Sequence, residues 1–336
     1  MSASRMPVCK DCCSPASDTH RASDSRVIIN ADDFGLSAET NSAIIRFAES
    51  GAISSASLMA VGEGFDQAAE WAAANQADFR VGVHLCLSDS VKPLTSAQAL
   101  VNADGRFRSL HHLVGRALRR TLPMDAIRHE WKTQMDRVRS CGIEPTHLDS
   151  HQHVHVLPGI SDLVVRMAAE ERLAVRHTDG PLGFPISKCG GCIHYWGTYL
   201  RPGLWKSVSL RLLGRMLKQR LVSAKVPTID FYISPSSLCG RMRQGASSRA
   251  VVALAELAAG LRGTVEWVVH PSDACGRATE PRWMAGMRAY DSGMLESRLH
   301  LEVLSRFGVA TGSYADLLTA GYKSEPTEET NIGLGR

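Results

Sequence analysis

Pro145-Thr-His-Leu-Asp-Ser-His-Gln-His-Val-His155 is the stretch on which the fold turns. Asp149, His151, His153 and His155 occupy every second position. Side chains alternate between the two faces of a β-strand, so a strand through this run projects all four groups the same way. Pro158-Gly159 closes the run. Four metal-capable or proton-carrying groups on one face, followed by a turn, describe a strand end that opens into an active site. Groups two apart on a strand are roughly 7 Å apart. A metal held at about 2.0–2.2 Å cannot gather all four. One or two would bind it, and the rest would orient ligands or contact substrate.

Upstream, Arg26-Val-Ile-Ile-Asn-Ala-Asp-Asp-Phe-Gly-Leu-Ser37 reads as a buried strand over Val27, Ile28 and Ile29 that ends at Asp32 and Asp33. Two adjacent carboxylates there are costly unless a cation or a proton separates them. Phe34-Gly35 turns the chain, and Ser37 is placed to cap a helix with an apolar stripe at Ala43, Ile44 and Phe47 that Gly51 ends. Further strands are expected over 53–59, 80–87, 173–177, 228–233 and 264–272, with helices over 65–74, 123–141, 160–171, 250–261 and 290–307. Residues 88–122 read as irregular, and a last short element begins at Thr311. A lone histidine in an apolar strand is usually a core residue, but His84 has Asp33 and the histidine run as partners for a shared centre. His270, fixed by Pro271 at a strand's C-terminal end, is placed for proton transfer.

Strand–helix alternation of this kind gives a parallel sheet, and the polar groups gather at strand C-termini, the face that carries the active site in α/β barrels. The expected fold class is therefore α/β, a (β/α) barrel variant with about seven parallel strands. At 336 residues and 44% hydrophobic, the chain suits one large domain with a sizeable core. That domain is expected over 26–322, with an insertion at about 180–226, a disordered tail at 1–25 and a flexible one at 323–336. The formal charge of +4 is mild and does not call for nucleic acid.

No apolar run of about 18 residues predicts a membrane span, and the N-terminus lacks a signal-peptide core. Nine cysteines in that context read as reduced thiols in a cytoplasmic protein. Cys9, Cys12 and Cys13 have the spacing to share a zinc ion with Cys189 and Cys192, although the separation is very long. Leu204 to Val222 reads as a basic amphipathic helix. It suits contact with a membrane surface or a lipid-linked substrate, or else a covering helix with a solvated basic face.

Several of these stretches together resemble the YdjC-like carbohydrate deacetylases, the family of chitooligosaccharide and hopanoid-associated deacetylases. They are Asn30-Ala-Asp-Asp-Phe-Gly-Leu-Ser37, Gly82-Val-His84, Lys92-Pro-Leu94, Pro145 to His151 with His153 and His155, His270-Pro271 and Gly312-Ser-Tyr314. The resemblance implies a (β/α) barrel that lacks a strand and removes N-acetyl groups from amino sugars with one divalent metal ion, Mg2+ or Zn2+. It implies that Asp33, His84 and His151 hold the metal, that Asp32 is the general base, and that His270 is an acid or substrate contact. Asp149, His153 and His155 then fall to substrate binding or ligand support. The histidine stretch is more similar to the chitooligosaccharide branch. The insertion, with Tyr195-Trp196, Leu200-Arg201-Pro202 and Trp205, is more similar to the hopanoid-associated branch.

The implied partner is an amino-sugar substrate, with or without a lipid or glycoside attached. Peripheral contact at the inner membrane face through 204–222 and a homodimer stay open. Two other readings compete: a different metal-dependent hydrolase on the same scaffold, and a non-catalytic sugar- or lipid-binding protein.

Overall fold

Strand β1 (Arg26–Phe34) is buried at every residue after the first. It earns that position by pairing on both sides, which its uninterrupted Val-Ile-Ile run allows, since strands of parallel sheets are covered on both faces. The computed structural model describes residues 25–88, 91–181, 202–234, 248–273 and 282–319. After β1 come α1 (Ala38–Glu49), β2 (Ser55–Leu58), α2 (Phe65–Asn75), β3 (Val81–Leu85), α3 (Leu110–Leu118), α4 (Met124–Ser140), β4 (His147–Ser150), α5 (Ile160–Glu171) and β5 (Ala174–Val175). The second half contributes α6 (Pro202–Ser223), β6 (Phe231–Ile233), α7 (Ser248–Gly260), β7 (Thr264–Val269), α8 (Arg282–Ser297), α9 (Leu299–Arg306), β8 (Ala310–Gly312) and α10 (Tyr314–Thr319).

The strands run in the order β5-β4-β3-β2-β1-β7-β6, and β8 pairs with the start of β1. Among the described residues, every pairing between these strands is parallel. A parallel bridge between Val175 and Thr228 brings the outer strand β5 against the residues that lead into β6. The arrangement is a (β/α) barrel variant, and its polar side chains collect where the strands end.

Local signals account for most element ends. Ser37 accepts the Thr40 N–H at the start of α1, and Gly51 follows its end in the left-handed region. Three features depart from the sequence reading. The stretch expected to be irregular contains α3, which is capped by Ser109 and buries only Leu113 and Ala117, too narrow a stripe to stand out. The single helix expected over 290–307 is two, α8 and α9, divided at Arg298 with φ of 53°. The histidine run is a strand only as far as Ser150; His151–Val156 is a tight helical turn with left-handed residues at Gln152 and His153. The four groups of that run therefore do not share one strand face.

The expected tails, the five cysteines and the first part of the insertion lie outside the described residues, apart from the edges at Ser25 and 180–181. Among the described residues, no helix is long and apolar enough to cross a membrane.

Candidate active site

In a regular strand Asp32 and Asp33 would face opposite sides. Here the register of β1 against β2 shifts between Ala31 and Phe34, and Asp33 adopts a φ of 67°. Such an irregularity re-aims side chains. Both carboxylates end buried, each with its own set of partners.

Asp33 is where distant strands meet. His151 Nδ1 lies 3.0 Å from its Oδ1, and His84 Nε2 lies 3.5 Å from the same oxygen. Arg288 donates to its other oxygen at 2.8 Å. His84 and Asp149 are opposite one another in the β3–β4 register, and His84 Nδ1 lies 2.9 Å from Asp149 Oδ1. One ligand atom each from Asp33, His84 and His151 fits within 4.8 Å. One carboxylate and two imidazoles suit a divalent cation, and a ligating histidine usually rests its other nitrogen on a carboxylate, as His84 does on Asp149. The donor set therefore fits a metal. A second triplet, Asp32, His84 and Asp149, meets the same distance. Its carboxylates already hold a cation, because Arg176 contacts Asp32 at 2.7 Å and Asp149 at 2.5 Å.

Arg176 is fully buried and organises the floor of the site. It donates through both Nη atoms to Asp32, and through Nε and Nη2 to Glu266 on β7. Asn30 adds a hydrogen bond to Asp32 Oδ1, and the Tyr314 hydroxyl donates to Glu266 at 2.7 Å. Three strands thus pin carboxylates to one guanidinium.

Protonation follows from this packing. Burial alone would raise the Asp33 carboxyl, but His151, His84 and Arg288 hold it well below the usual range. Burial opposes charge on His84, yet Asp149, Asp32 and Asp33 drive it up to about 10. Burial pushes Glu266 up to about 7, against the pull of Arg176. His153 is held well below its ordinary value by burial and then by Arg176 and His155, so its ring is neutral.

His270 sits where β7 ends. Its Nε2 lies 3.7 Å from Asp32 Oδ2, and its backbone N–H donates to Asp291 Oδ2 at 2.8 Å. His153 does not join the Asp33 centre; its Nε2 lies 3.3 Å from the Tyr232 hydroxyl. His155 is turned into the core, with Nδ1 2.6 Å from Ser150 Oγ and Nε2 on the Arg176 carbonyl. It holds the turn together from within the core.

Sequence reasoning does not single out Arg176, Glu266, Arg288 or Asp291. Glu266 carried a signal, a carboxylate inside the otherwise apolar Thr264–Val269 strand. Arg288 and Asp291 carried none, because a polar pair on a helix usually faces water.

The YdjC-like protein family matches residues 26–300. A carbohydrate deacetylase of Brevibacillus brevis is 35% identical over 153 residues, 45% of this chain and 59% of the relative. A chitooligosaccharide deacetylase of Citrobacter koseri is 37% identical over 151 residues, 45% of this chain and 58% of the relative. The chain thus spans less than two thirds of these relatives' length. A carbohydrate deacetylase of Oceanobacillus iheyensis is 31% identical over 162 residues, 48% of this chain and 68% of the relative. A solved Enterococcus faecalis V583 protein, given a provisional cellobiose-phosphate cleavage role, superposes with a TM-score of 0.64 at 20% identity. That match covers 88% of this chain and 99% of that one, and the likeness is one of fold.

Proposed function

The chain belongs to the YdjC-like protein family, and from that premise we propose that it is a metal-dependent hydrolase that releases acetate from an N-acetylated amino sugar. The observation that carries the reading is the meeting of Asp33, His84 and His151 around one carboxylate oxygen, beside the facing pair Asp32 and His270. The names of the relatives supply the substrate class.

Asp33, His84 and His151 would hold one divalent ion, zinc or magnesium. Such an ion, when bound, polarises a carbonyl oxygen and lowers the pKa of water from roughly 15.7 toward about 7. Asp32 is the general base: it takes the proton of the attacking water, with Arg176 fixing both of its oxygens. His270 Nε2 donates a proton to the amine nitrogen as the C–N bond breaks, because an amide nitrogen leaves only when protonated. Asp32 then returns its proton across the 3.7 Å gap to His270. Acetate and a free amino sugar are the products. Asp149 keeps His84 oriented, and neutral His153 with Tyr232 offers hydrogen bonds to an uncharged sugar.

The same reading extends to a lipid-linked sugar presented at the cytoplasmic face of a membrane. Helix α6 is apolar on two sides. Leu217 and Leu221 enter the core, while Leu212 and Met216 are 60% and 45% exposed, beside Val208 and Val222. It carries five Lys and Arg residues and no Asp or Glu, and three of the five, Arg211, Lys218 and Arg220, also reach Asp179, the Asp230 carbonyl and Asp162. Such a face complements an anionic bilayer, whereas pairing two copies of α6 in a homodimer would set like charges against each other.

The test is acetate release from N-acetylglucosamine, chitobiose and a lipid-linked N-acetylglucosamine, with zinc, magnesium, cobalt or manganese supplied. Release that stops with chelator and with His151→Ala is expected. No release from any of these with metal demonstrably bound would favour another hydrolase. A protein that binds no metal would favour a sugar- or lipid-binding role.

A further inference from the structure

We propose that Asp291 is a positioning residue for His270, and that Arg288, on the same face of α8, anchors that helix turn to the metal-ligand side of the centre. The inference rests on the deacetylase reading. Residues three apart on a helix are neighbours on its surface, so Arg288 and Asp291 reach the site together. Both are buried, at 2% and 0% exposure. Arg288 donates to Asp33 Oδ2 at 2.8 Å, which leaves Oδ1 as the oxygen that faces His84 and His151. Asp291 Oδ2 accepts the backbone N–H of His270 at 2.8 Å and lies 3.7 Å from its ring Nδ1.

Two atoms at this junction are buried without a hydrogen-bond partner among the described residues: His270 Nδ1 and Asp291 Oδ1. A buried donor or acceptor left unmade costs free energy. Here the two orphaned atoms belong to side chains already in contact. A small rotation of the ring lets Nδ1–H donate to Asp291. That bond assigns the hydrogen-bearing nitrogen: Nδ1 stays protonated against the carboxylate, and Nε2 is the atom presented to Asp32 and to the leaving nitrogen. When Nε2–H passes to the amine, the proton moves from His270 to nitrogen and the neutral ring keeps the Nδ1–H form. It takes up its next proton at Nε2 from Asp32, so the cycle closes without a change at Nδ1.

The test is the pair of variants Asp291→Asn and His270→Ala and their combination, each compared with the intact protein for acetate release from chitobiose, metal content and KM. Asn fills the same volume and can still accept the backbone N–H, but it carries no charge to hold the Nδ1–H form. The expected result is a fall in kcat of about 10–100-fold, the range for partners that orient a working group, with KM and metal content unchanged. In the His270→Ala background, Asp291→Asn should have almost no further effect, which a merely structural role would not predict. If Asp291→Asn does not fold, Asp291→Ala, which also removes the charge, replaces it in the same cycle. Full kcat in whichever variant folds, or equal losses with and without His270, would overturn the proposal. An intact protein that releases no acetate would instead overturn the deacetylase reading on which it rests.

Discussion

His151 Nδ1 meets Asp33 Oδ1 at 3.0 Å, although 118 positions separate the two residues. Neither is placed by its own strand alone. Asp33 reaches the centre because β1 loses its regular register there, and His151 reaches it because β4 ends one residue earlier. The candidate metal centre is therefore a property of two strand ends.

The first prediction concerns pH and metal affinity. His84 is driven up to about 10, and an imidazole must lose its proton to ligate through the nitrogen that carries it. Below that value each unit of falling pH costs roughly tenfold in affinity. Zinc affinity measured by calorimetry should therefore rise roughly 100-fold between pH 6.5 and 8.5. An affinity flat over that window would remove His84 from the ligand set.

Arg176 serves Asp32, Asp149 and Glu266 at once, wholly out of water. Arg176→Met would leave three buried carboxylates without their cation. Breaking a buried pair from one side typically costs about 3–5 kcal/mol. Urea unfolding should show a loss of that size, and a change below about 1 kcal/mol would mean that the carboxylates find other partners.

Acid stability should depend on His177. Its Nε2 donates to the Ile229 carbonyl and its Nδ1 accepts the Asp179 N–H, so the ring must be neutral to make both bonds. Burial, and then Lys218, lower it to about 3. A histidine with a depressed folded value favours the folded state fully above its ordinary value near 6.5. That contribution is lost as pH falls from 6.5 toward 3, at up to about 1.4 kcal/mol per unit. In chemical unfolding between pH 7 and 4.5, His177→Gln should start less stable and show a shallower slope. An unchanged slope would count against the assignment.

Gly82 has a packing reason for being glycine. A Cβ there would stand 2.4 Å from the His147 ring. That ring cannot give way easily, because it stacks on Tyr314 at 3.7 Å and contacts Ser57 Oγ at 3.0 Å. Gly82→Ala should destabilise by about 1–3 kcal/mol through overpacking. The readout is the unfolding midpoint, and a neutral result would show that β3 and β4 can separate locally.

The outer face of α6 predicts lipid binding. Sedimentation with vesicles containing anionic lipid should capture the protein, and neutral vesicles should capture much less. Leu212→Glu places a charge at the most exposed apolar position of that face and should reduce capture severalfold. Capture that ignores both lipid charge and this substitution would leave α6 as an ordinary covering helix.

By itself the sequence determined the parallel α/β architecture and several of the residues that form the centre. Apolar runs of strand length, separated by capped helices, are local patterns, and local geometry is enough to read them. The stretch around Asp33, the His84 strand and His151 stood out because polar groups at the ends of buried strands need a reason to be there. Only the tertiary structure decided how those groups are used. Strict alternation gave all four groups of the histidine run one face, whereas the strand stops at Ser150 and left-handed Gln152 and His153 redirect the chain, so that His155 serves the core. Likewise, Arg176, Glu266, Arg288 and Asp291 acquire their meaning only across the barrel, where a buried charge must find a partner far away in sequence. Strand period and capping act over a few residues and are written along the chain. Charge pairing in a low-dielectric interior acts through space, and only the packing of β1, β3, β4, β7, the residue after β5 and helix α8 brings those partners together.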